Sequence, residues 1–347
     1  MVRPIDQGLR MPAEWERHER CWMAWPCRAE TWPGAGLEAA AAATADIARA
    51  IARFEPVTMV CDPADVVEAS LACGPGIQIL PLPISDSWMR DTGPSFVTDG
   101  RGTVAGVHWG FNAWGGNYAD CAKDRDIGRL VLEHLGFTRF VAPLVMEGGA
   151  FHVDGEGTLL TTEQCLLNAN RNPGLSRTEI EDALKGCLGL STVIWLGQGY
   201  QDDETDGHVD EIACFVRPGV VVALTTDDPS DANFKAFQDN LDRLKRARDA
   251  RGREIEVIPV HQPARRDHGG VRLTMSYTNL YVANGGVVMP SFHDPADHEA
   301  FRLVRRAFPD REVVQVPALD IVRGGGGIHC ITQQQPFAHR GHDSDRW

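Results

Sequence analysis

Short β-branched runs alternate with amphipathic stretches along almost the whole of this chain, and no Ser/Gly-rich linker interrupts them. That order predicts an α/β architecture built from a repeated module, in which each helix covers the sheet made by its neighbouring strands. Strands are expected at 57–61, 77–84, 104–109, 140–145, 150–153, 158–161, 193–196, 208–216, 220–224, 255–260 and 312–316. Helices are expected at 37–54, 63–71, 123–135, 176–188, 231–249 and 297–307. Ser176 with Glu179 three residues on is a capping box, and Gly136 is placed to stop the helix before it. Residues 11–34 are dense in Trp, Pro and charge without a period of either kind, so they read as irregular, with Trp15, Trp22, Trp25 and Trp32 packed under loops. The whole of 1–347 reads as one domain, with 338–347 as a surface tail.

Composition bears on partners. The 34 Lys+Arg against 48 Asp+Glu leave a net charge of −14, which disfavours nucleic acid or an anionic membrane and suits a cationic small molecule. The N-terminal stretch has no apolar h-region, and no run approaches the ~18 apolar residues of a membrane span, so a cytoplasmic protein is expected. Nine cysteines without a CxxC pair read as reduced thiols and offer neither a zinc ribbon nor a thioredoxin motif.

Four glycines, Gly324 to Gly327, lead into Ile328-His329-Cys330-Ile331, which reads as a short strand carrying a thiol beside backbone that a ligand can approach closely. The plain alternative is a buried structural cysteine. The run lacks the Lys-Ser/Thr of a phosphate loop, and Gly197-Gln198-Gly199 lacks the third glycine and following helix of a dinucleotide site. On a strand over 208–216, His208 and Asp210 would share one face. A zinc half-site or a solvated strand end would look the same. Trp88 and Asp91 lie just past a strand end, and Glu147 precedes two glycines. Asp91 as a partner of Arg90, and Glu147 as a surface turn, are equally open from spacing alone. Together these residues supply a thiol, an imidazole and three carboxylates, the minimum for thiol catalysis plus a surplus of negative charge. The surplus fits a guanidinium, which carboxylates grip in a fork geometry.

The motifs MPAEWERHERCWMAWP, WMRDTGPSFV, WGFNAWGG, EGGAFHVDGEGTLLTTEQCLLNANRNP, DGHVDEIACFVRPGV, SYTNLYVANGGVVMP and GGGGIHCITQQQP resemble, in order and from about 11 to 336, those of the agmatine deiminases within the Porphyromonas-type peptidylarginine deiminase family. The resemblance implies a pentein fold: a five-module α/β propeller with pseudo-fivefold symmetry and a central active site. It implies Cys330 as the nucleophile that forms a covalent thiouronium and His208 as general acid/base. Asp91 and Asp210 would grip the guanidinium, Glu147 would support it and the histidine, and Trp88 would flank the substrate chain. Agmatine would be hydrolysed to N-carbamoylputrescine and ammonia, with no metal or organic cofactor, by a homo-oligomer that is a dimer or higher. The chain departs from the family pattern at Asp206 and Gly327, where Asn is common; both are expected near the tail of the guanidine compound, with Gly327 in the substrate site. Deimination of arginine or peptidyl-arginine, a Cys-His-Asp amidase, and a metal or polyamine binder using His208, Asp210 and Cys330 are the rival readings.

Overall fold

The computed structural model describes residues 2–33 and 36–338. The tail expected over 338–347 therefore lies, beyond Ala338, outside the described residues. Strands β1 (His18–Ala24), β2 (Val57–Cys61) and β3 (Ile77–Pro81) begin the first sheet. The second holds β4 (Ser95–Thr98), β5 (Val104–Gly110) and β6 (Thr138–Val145), and the third β7 (Phe151–Val153), β8 (Thr158–Thr162) and β9 (Thr192–Leu196). The fourth holds β10 (Ala213–Arg217), β11 (Val220–Thr225) and β12 (Glu256–His261). A two-stranded ribbon of β13 (Asp267–His268) and β14 (Val271–Arg272) follows, and then the fifth sheet, β15 (Tyr281–Ala283), β16 (Gly286–Ser291) and β17 (Glu312–Pro317). The last strand, β18 (Thr332–Pro336), returns to pair with β1 and so completes the first sheet.

One wiring recurs in all five sheets. An antiparallel pair, such as β4–β5 or β10–β11, is followed by a parallel pairing of its second strand, β5–β6 or β11–β12. A parallel pairing needs a crossover, and the helices Gly36–Ala52, Ala122–Leu135, Arg177–Leu188, Phe234–Arg246 and Asp297–Ala307 supply one per sheet. Their sequences show why they sit there: in the last of them Ala300, Val304 and Ala307 recur at helical spacing and are the buried residues. Ser176 and Glu179 cap the third as expected, and Gly136 and Gly189 end two of them in the left-handed conformation that glycine adopts freely. Strands β2 and β8 are buried along their whole length, which is why they read as continuous runs.

Several expectations are corrected. The stretch 11–34 is not irregular throughout, because it contains β1. Cys21, Trp22, Met23 and Ala24 are all fully buried, so the strand shows no alternation to read. The β15–β16 hairpin was not foreseen, although Asn284-Gly285 forms its two-residue turn, with Gly285 at φ 75°. The expected strand 208–216 begins only at Ala213; Val209–Glu211 is a 3-10 turn. Residues 328–331 are likewise a turn, with β18 starting at Thr332. No described helix is long and apolar enough to cross a membrane. All nine cysteines are free thiols, eight of them buried.

Candidate active site

The antiparallel pair of every sheet is entered from a short turn, and these turns meet. Asp91 lies in the single helical turn Met89–Thr92 before β4, and Glu147 just ahead of the 3-10 turn Gly148–Ala150 that leads into β7. His208 caps the turn Val209–Glu211 before β10, and that turn carries Asp210 and Glu211. Asn279 precedes β15, and Cys330 sits in the turn before β18. The repeated module thus delivers a polar side chain from each sheet to one place. Glycines allow the approach: a Cβ on Gly148 would fall 2.1 Å from the Arg90 carbonyl oxygen. One on Gly149 would meet His208 Nδ1 at 2.6 Å, Asp210 Oδ2 at 2.8 Å and Asp91 Oδ1 at 3.0 Å.

Around the thiol, Cys330 Sγ lies 3.2 Å from Asn279 Nδ2, 3.5 Å from Glu211 Oε1 and 3.7 Å from Asp210 Oδ2. Asp91 is pinned through both oxygens, accepting from the Gly149 amide at 2.8 Å and from the Trp114 indole at 2.9 Å. Glu147 accepts from Arg171 Nε at 2.8 Å, and its other oxygen stands 3.6 Å from His208 Nε2. His208 Nδ1 stands 3.9 Å from Asp91 Oδ2. All of these groups are buried. Among the described residues, Glu147 Oε2, Asp210 Oδ1, Glu211 Oε2 and both nitrogens of His208 make no hydrogen bond within the protein. Each such buried group costs about 1–3 kcal/mol when left unpaired. Three carboxylates offering free oxygens in one buried place are arranged for a partner rich in N–H donors and positive charge.

The charges act on one another. Burial raises the Cys330 thiol well above its ordinary value, and the charges of Asp210, Glu211 and Asp91 raise it further. Burial would lower His208, but the charge of Asp91 and the partners Cys165 and Glu147 outweigh it and hold the imidazole well above its usual value. Burial pushes Asp91 up to about 6. Burial, and then Asp210, raise Glu211 well above the carboxylate range. Burial would also raise Glu147, but the nearby His208 imidazole and the charge of Arg171 bring it below its usual value. The resting pair is therefore a neutral thiol and an imidazolium, and a bound cation is what favours the thiolate. Iodoacetamide is expected to inactivate slowly at neutral pH, at a rate that keeps rising beyond pH 9 as the thiol ionises. A haloacyl reagent bearing an amidinium should inactivate at least about 100-fold faster at pH 7; equal rates would show that the carboxylates do not govern the thiol.

The five catalytic candidates, Cys330, His208, Asp91, Glu147 and Asp210, are all brought together, though His208 caps a 3-10 turn that carries Asp210 and the two do not share a strand face. Trp88 stacks on Trp32 at 5.5 Å and lies over the glycine run: a Cβ on Gly326 would sit 2.6 Å from its ring and 3.1 Å from Sγ. Gly327 borders the thiol through its backbone, which hydrogen-bonds Cys330 and offsets part of the rise in its pKa. A Cβ there would fall 2.4 Å from Asn279 Oδ1, so Gly327 makes room for the carboxamide that holds Sγ. Asp206 has left-handed backbone, φ 63°, which Asn and Asp tolerate best among side-chain-bearing residues. Its carboxylate meets Arg171 at 3.0 Å and Asn170 at 2.8 Å. It thus supports the Arg171–Glu147 pair, whose buried partners would cost about 3–5 kcal/mol to separate by removing one.

Sequence reasoning missed Glu211, Asn279 and Arg171. Glu211 had a signal in its position next to Asp210; the other two stand in motifs but carry no spacing that points to the thiol. Two groups, Asp210 with Glu211 and Cys330, and Glu147 with Cys165 and His208, each bring three possible metal ligands within 4.8 Å. Each is already crossed by a donor, Asn279 Nδ2 in the first and Arg171 in the second. That favours an organic cation over a metal in both.

A profile of the Porphyromonas-type peptidyl-arginine deiminase family matches residues 10–336. The chain belongs to this family. Within it, a Legionella pneumophila relative is 53% identical over 339 residues, 97% of each chain. The agmatine deiminase of Pseudomonas aeruginosa is 47% identical over 357 residues, covering 96% of this chain and 97% of that protein. Among solved structures, the agmatine deiminase of Enterococcus faecalis, captured catalysing its reaction, matches with a TM-score of 0.93 at 37% identity, over 97% of this chain and 98% of that one. The five sheets described above are the five modules of the pentein fold that the resemblance implied.

Proposed function

We infer that this chain is an agmatine deiminase, acting as one catalytic domain and hydrolysing agmatine to N-carbamoylputrescine and ammonia. The observation that carries the reading is the set of unpaired, buried carboxylate oxygens on Asp210, Glu211 and Glu147 around a thiol. A guanidinium has five N–H donors in a fixed plane and satisfies several of them at once. Agmatine deiminases match 96% and 97% of the chain.

The residues divide the chemistry. With the guanidinium held by Asp91 and Asp210, its charge ionises Glu211, the thiol proton of Cys330 passes to that carboxylate 3.5 Å away, and the thiolate adds to the guanidinium carbon. His208, an imidazolium at rest, gives its proton to the departing nitrogen. The C–N bond breaks, ammonia leaves, and an S-alkylthiouronium remains on Cys330. Neutral His208 then takes a proton from water as its oxygen attacks the same carbon; the C–S bond breaks, the hydroxyl proton passes to the sulfur to restore the thiol, and the proton left on the carboxylates is released to solvent. Glu147, itself held by Arg171, keeps the imidazole charged and oriented.

The far amine of agmatine has a partner of its own. Glu204 lies against the next glycine along, with Oε1 2.1 Å from the position of a Cβ on Gly325, while Sγ stands 3.1 Å from that of Gly326. Thiol and carboxylate thus lie against adjacent glycines of one run. Glu204 lines a cavity of about 240 Å³ together with Thr31, Tyr118, Gly324 and Gly325. Burial and the charges of Asp203 and Asp86 push it up to about 7, and an alkylammonium would keep it ionised. Trp32 and Trp88 cover the glycines between. Glu204→Gln is expected to raise KM for agmatine about tenfold or more with a smaller change in kcat.

Purified protein incubated with agmatine should release ammonia and N-carbamoylputrescine in equal amounts. Release from arginine or peptidyl-arginine in place of agmatine would move the assignment to a sibling activity. Tight agmatine binding without turnover would leave a binder. The protein is read as a cytoplasmic homo-oligomer, a dimer or higher, which light scattering of the pure chain tests.

A further inference from the structure

His329 has no part in the scheme above, yet both of its ring nitrogens are engaged. Nδ1 meets Asp210 Oδ2 at 2.8 Å and Nε2 meets Glu14 Oε1 at 2.8 Å, with the side chain only 2% exposed. A neutral imidazole carries one N–H, and an ionised carboxylate only accepts. A ring between two carboxylates therefore needs a proton on each nitrogen. Burial and Arg90 oppose that charge, but Glu14 and Asp210 outweigh them and raise His329 above its ordinary value.

Glu14 is itself held in place. Arg90 NH1 stands 3.4 Å from one of its oxygens and His152 Nε2 3.5 Å from the other. The Phe215 amide donates to His152 Nδ1 at 3.4 Å, so His152 presents its N–H at Nε2, toward Glu14. Every nitrogen that meets Glu14 is a donor, which leaves neither histidine of the Glu14–His152–His329 trio a lone pair for a metal on that side. Arg90 also donates its backbone N–H to the Cys330 carbonyl at 3.0 Å and its NH1 to Gln334 at 2.8 Å. The N-terminal loop is thereby bolted to the turn that carries the nucleophile.

We propose that His329 is a positioning residue: its imidazolium, clamped by Glu14, occupies Asp210 Oδ2 and leaves Oδ1 as the oxygen aimed at the guanidinium. Asp210 Oδ1 has no hydrogen bond within the protein among the described residues, so the division of labour between the two oxygens is visible in the structure. Without the clamp Asp210 is free to turn toward its other neighbour, the thiol 3.7 Å away, and the fork that receives the substrate is lost. The inference rests on the deiminase reading.

The test compares the full-length wild type with His329→Leu, His329→Asn and Glu14→Gln under steady-state kinetics with agmatine. Leu fills the space without a donor, and Asn keeps an N–H near the place of Nδ1. His329→Leu is expected to raise KM about tenfold or more, His329→Asn to recover most of that rise, and Glu14→Gln to raise KM several-fold. A purely structural role would lower kcat with the folded fraction and leave KM alone. If His329→Leu does not fold, Glu14→Gln and His329→Asn decide the matter. KM within twofold of wild type in folded His329→Leu, or in Glu14→Gln where Leu does not fold, overturns the proposal, as does His329→Asn binding no better than Leu. A wild type that leaves agmatine intact overturns the deiminase reading instead, and the KM comparison is then made with the guanidine it does hydrolyse.

Discussion

Replacing Cys330 with Ala is expected to lower turnover of agmatine by about 10⁴-fold or more, because no other group reaches the guanidinium carbon as a nucleophile. Binding should survive. The carboxylates that hold the cation are anchored independently of the thiol: Asp91 by the Gly149 amide and the Trp114 indole, Asp210 by His329, Glu147 by Arg171. The resting thiol is neutral and adds no charge to the grip on the cation, so calorimetry on Cys330→Ala should give an agmatine affinity near the wild-type KM. Residual activity above a few per cent would require a second nucleophile. Cys165, buried beside His208 and Glu147, is the sulfur nearest to that role, and Cys165→Ala on the Cys330→Ala background would expose it.

Asp91→Asn is expected to be the next most damaging change, although it alters one atom. Both oxygens of Asp91 face N–H donors, so whichever way an amide is turned, its own NH₂ confronts either the Gly149 amide or the Trp114 indole. The substitution removes a charge from beside His208 and sets donor against donor in a buried place, together worth about 3 kcal/mol or more. A loss of roughly 100-fold or more in kcat/KM follows, with KM rising as well as kcat falling. The wild-type pH profile carries the same group. Asp91 is pushed up to about 6 by burial, so as pH falls through that value it takes a proton and its grip on the cation goes. The acid limb of kcat/KM is therefore expected near pH 6. A flat profile down to pH 4.5 would take Asp91 out of substrate binding.

How far this could be read from the chain depended on the reach of each interaction. Cys330, His208, Asp91, Asp210 and Glu147 were legible because each stands next to glycine or in a turn within a few residues of a strand, and the five-module order came through the resemblance. The partners that aim them were not. Arg171 and Glu147 are 24 residues apart, and Glu14 and His329 are 315 apart, distances over which no local period carries information. Strand β1 was lost for the opposite reason: with Cys21 to Ala24 buried on both faces, its pattern offers no alternation. His208 and Asp210 were paired correctly for the wrong reason, since the turn Val209–Glu211 brings them together and a strand face does not. Gly327 interrupts the family pattern; its backbone hydrogen-bonds the Cys330 thiol, and its missing side chain leaves room for Asn279.

A covalent intermediate on Cys330 can be weighed directly. Enzyme mixed with agmatine in excess and quenched in acid within the first turnovers should yield a Cys330 peptide heavier by agmatine less ammonia. The adduct should be absent from Cys330→Ala, and in His208→Gln, which lacks both the acid for the departing nitrogen and the base for water, it should form and decay more slowly. Turnover of agmatine with no such adduct in either enzyme, or an adduct on a different cysteine, would contradict the account.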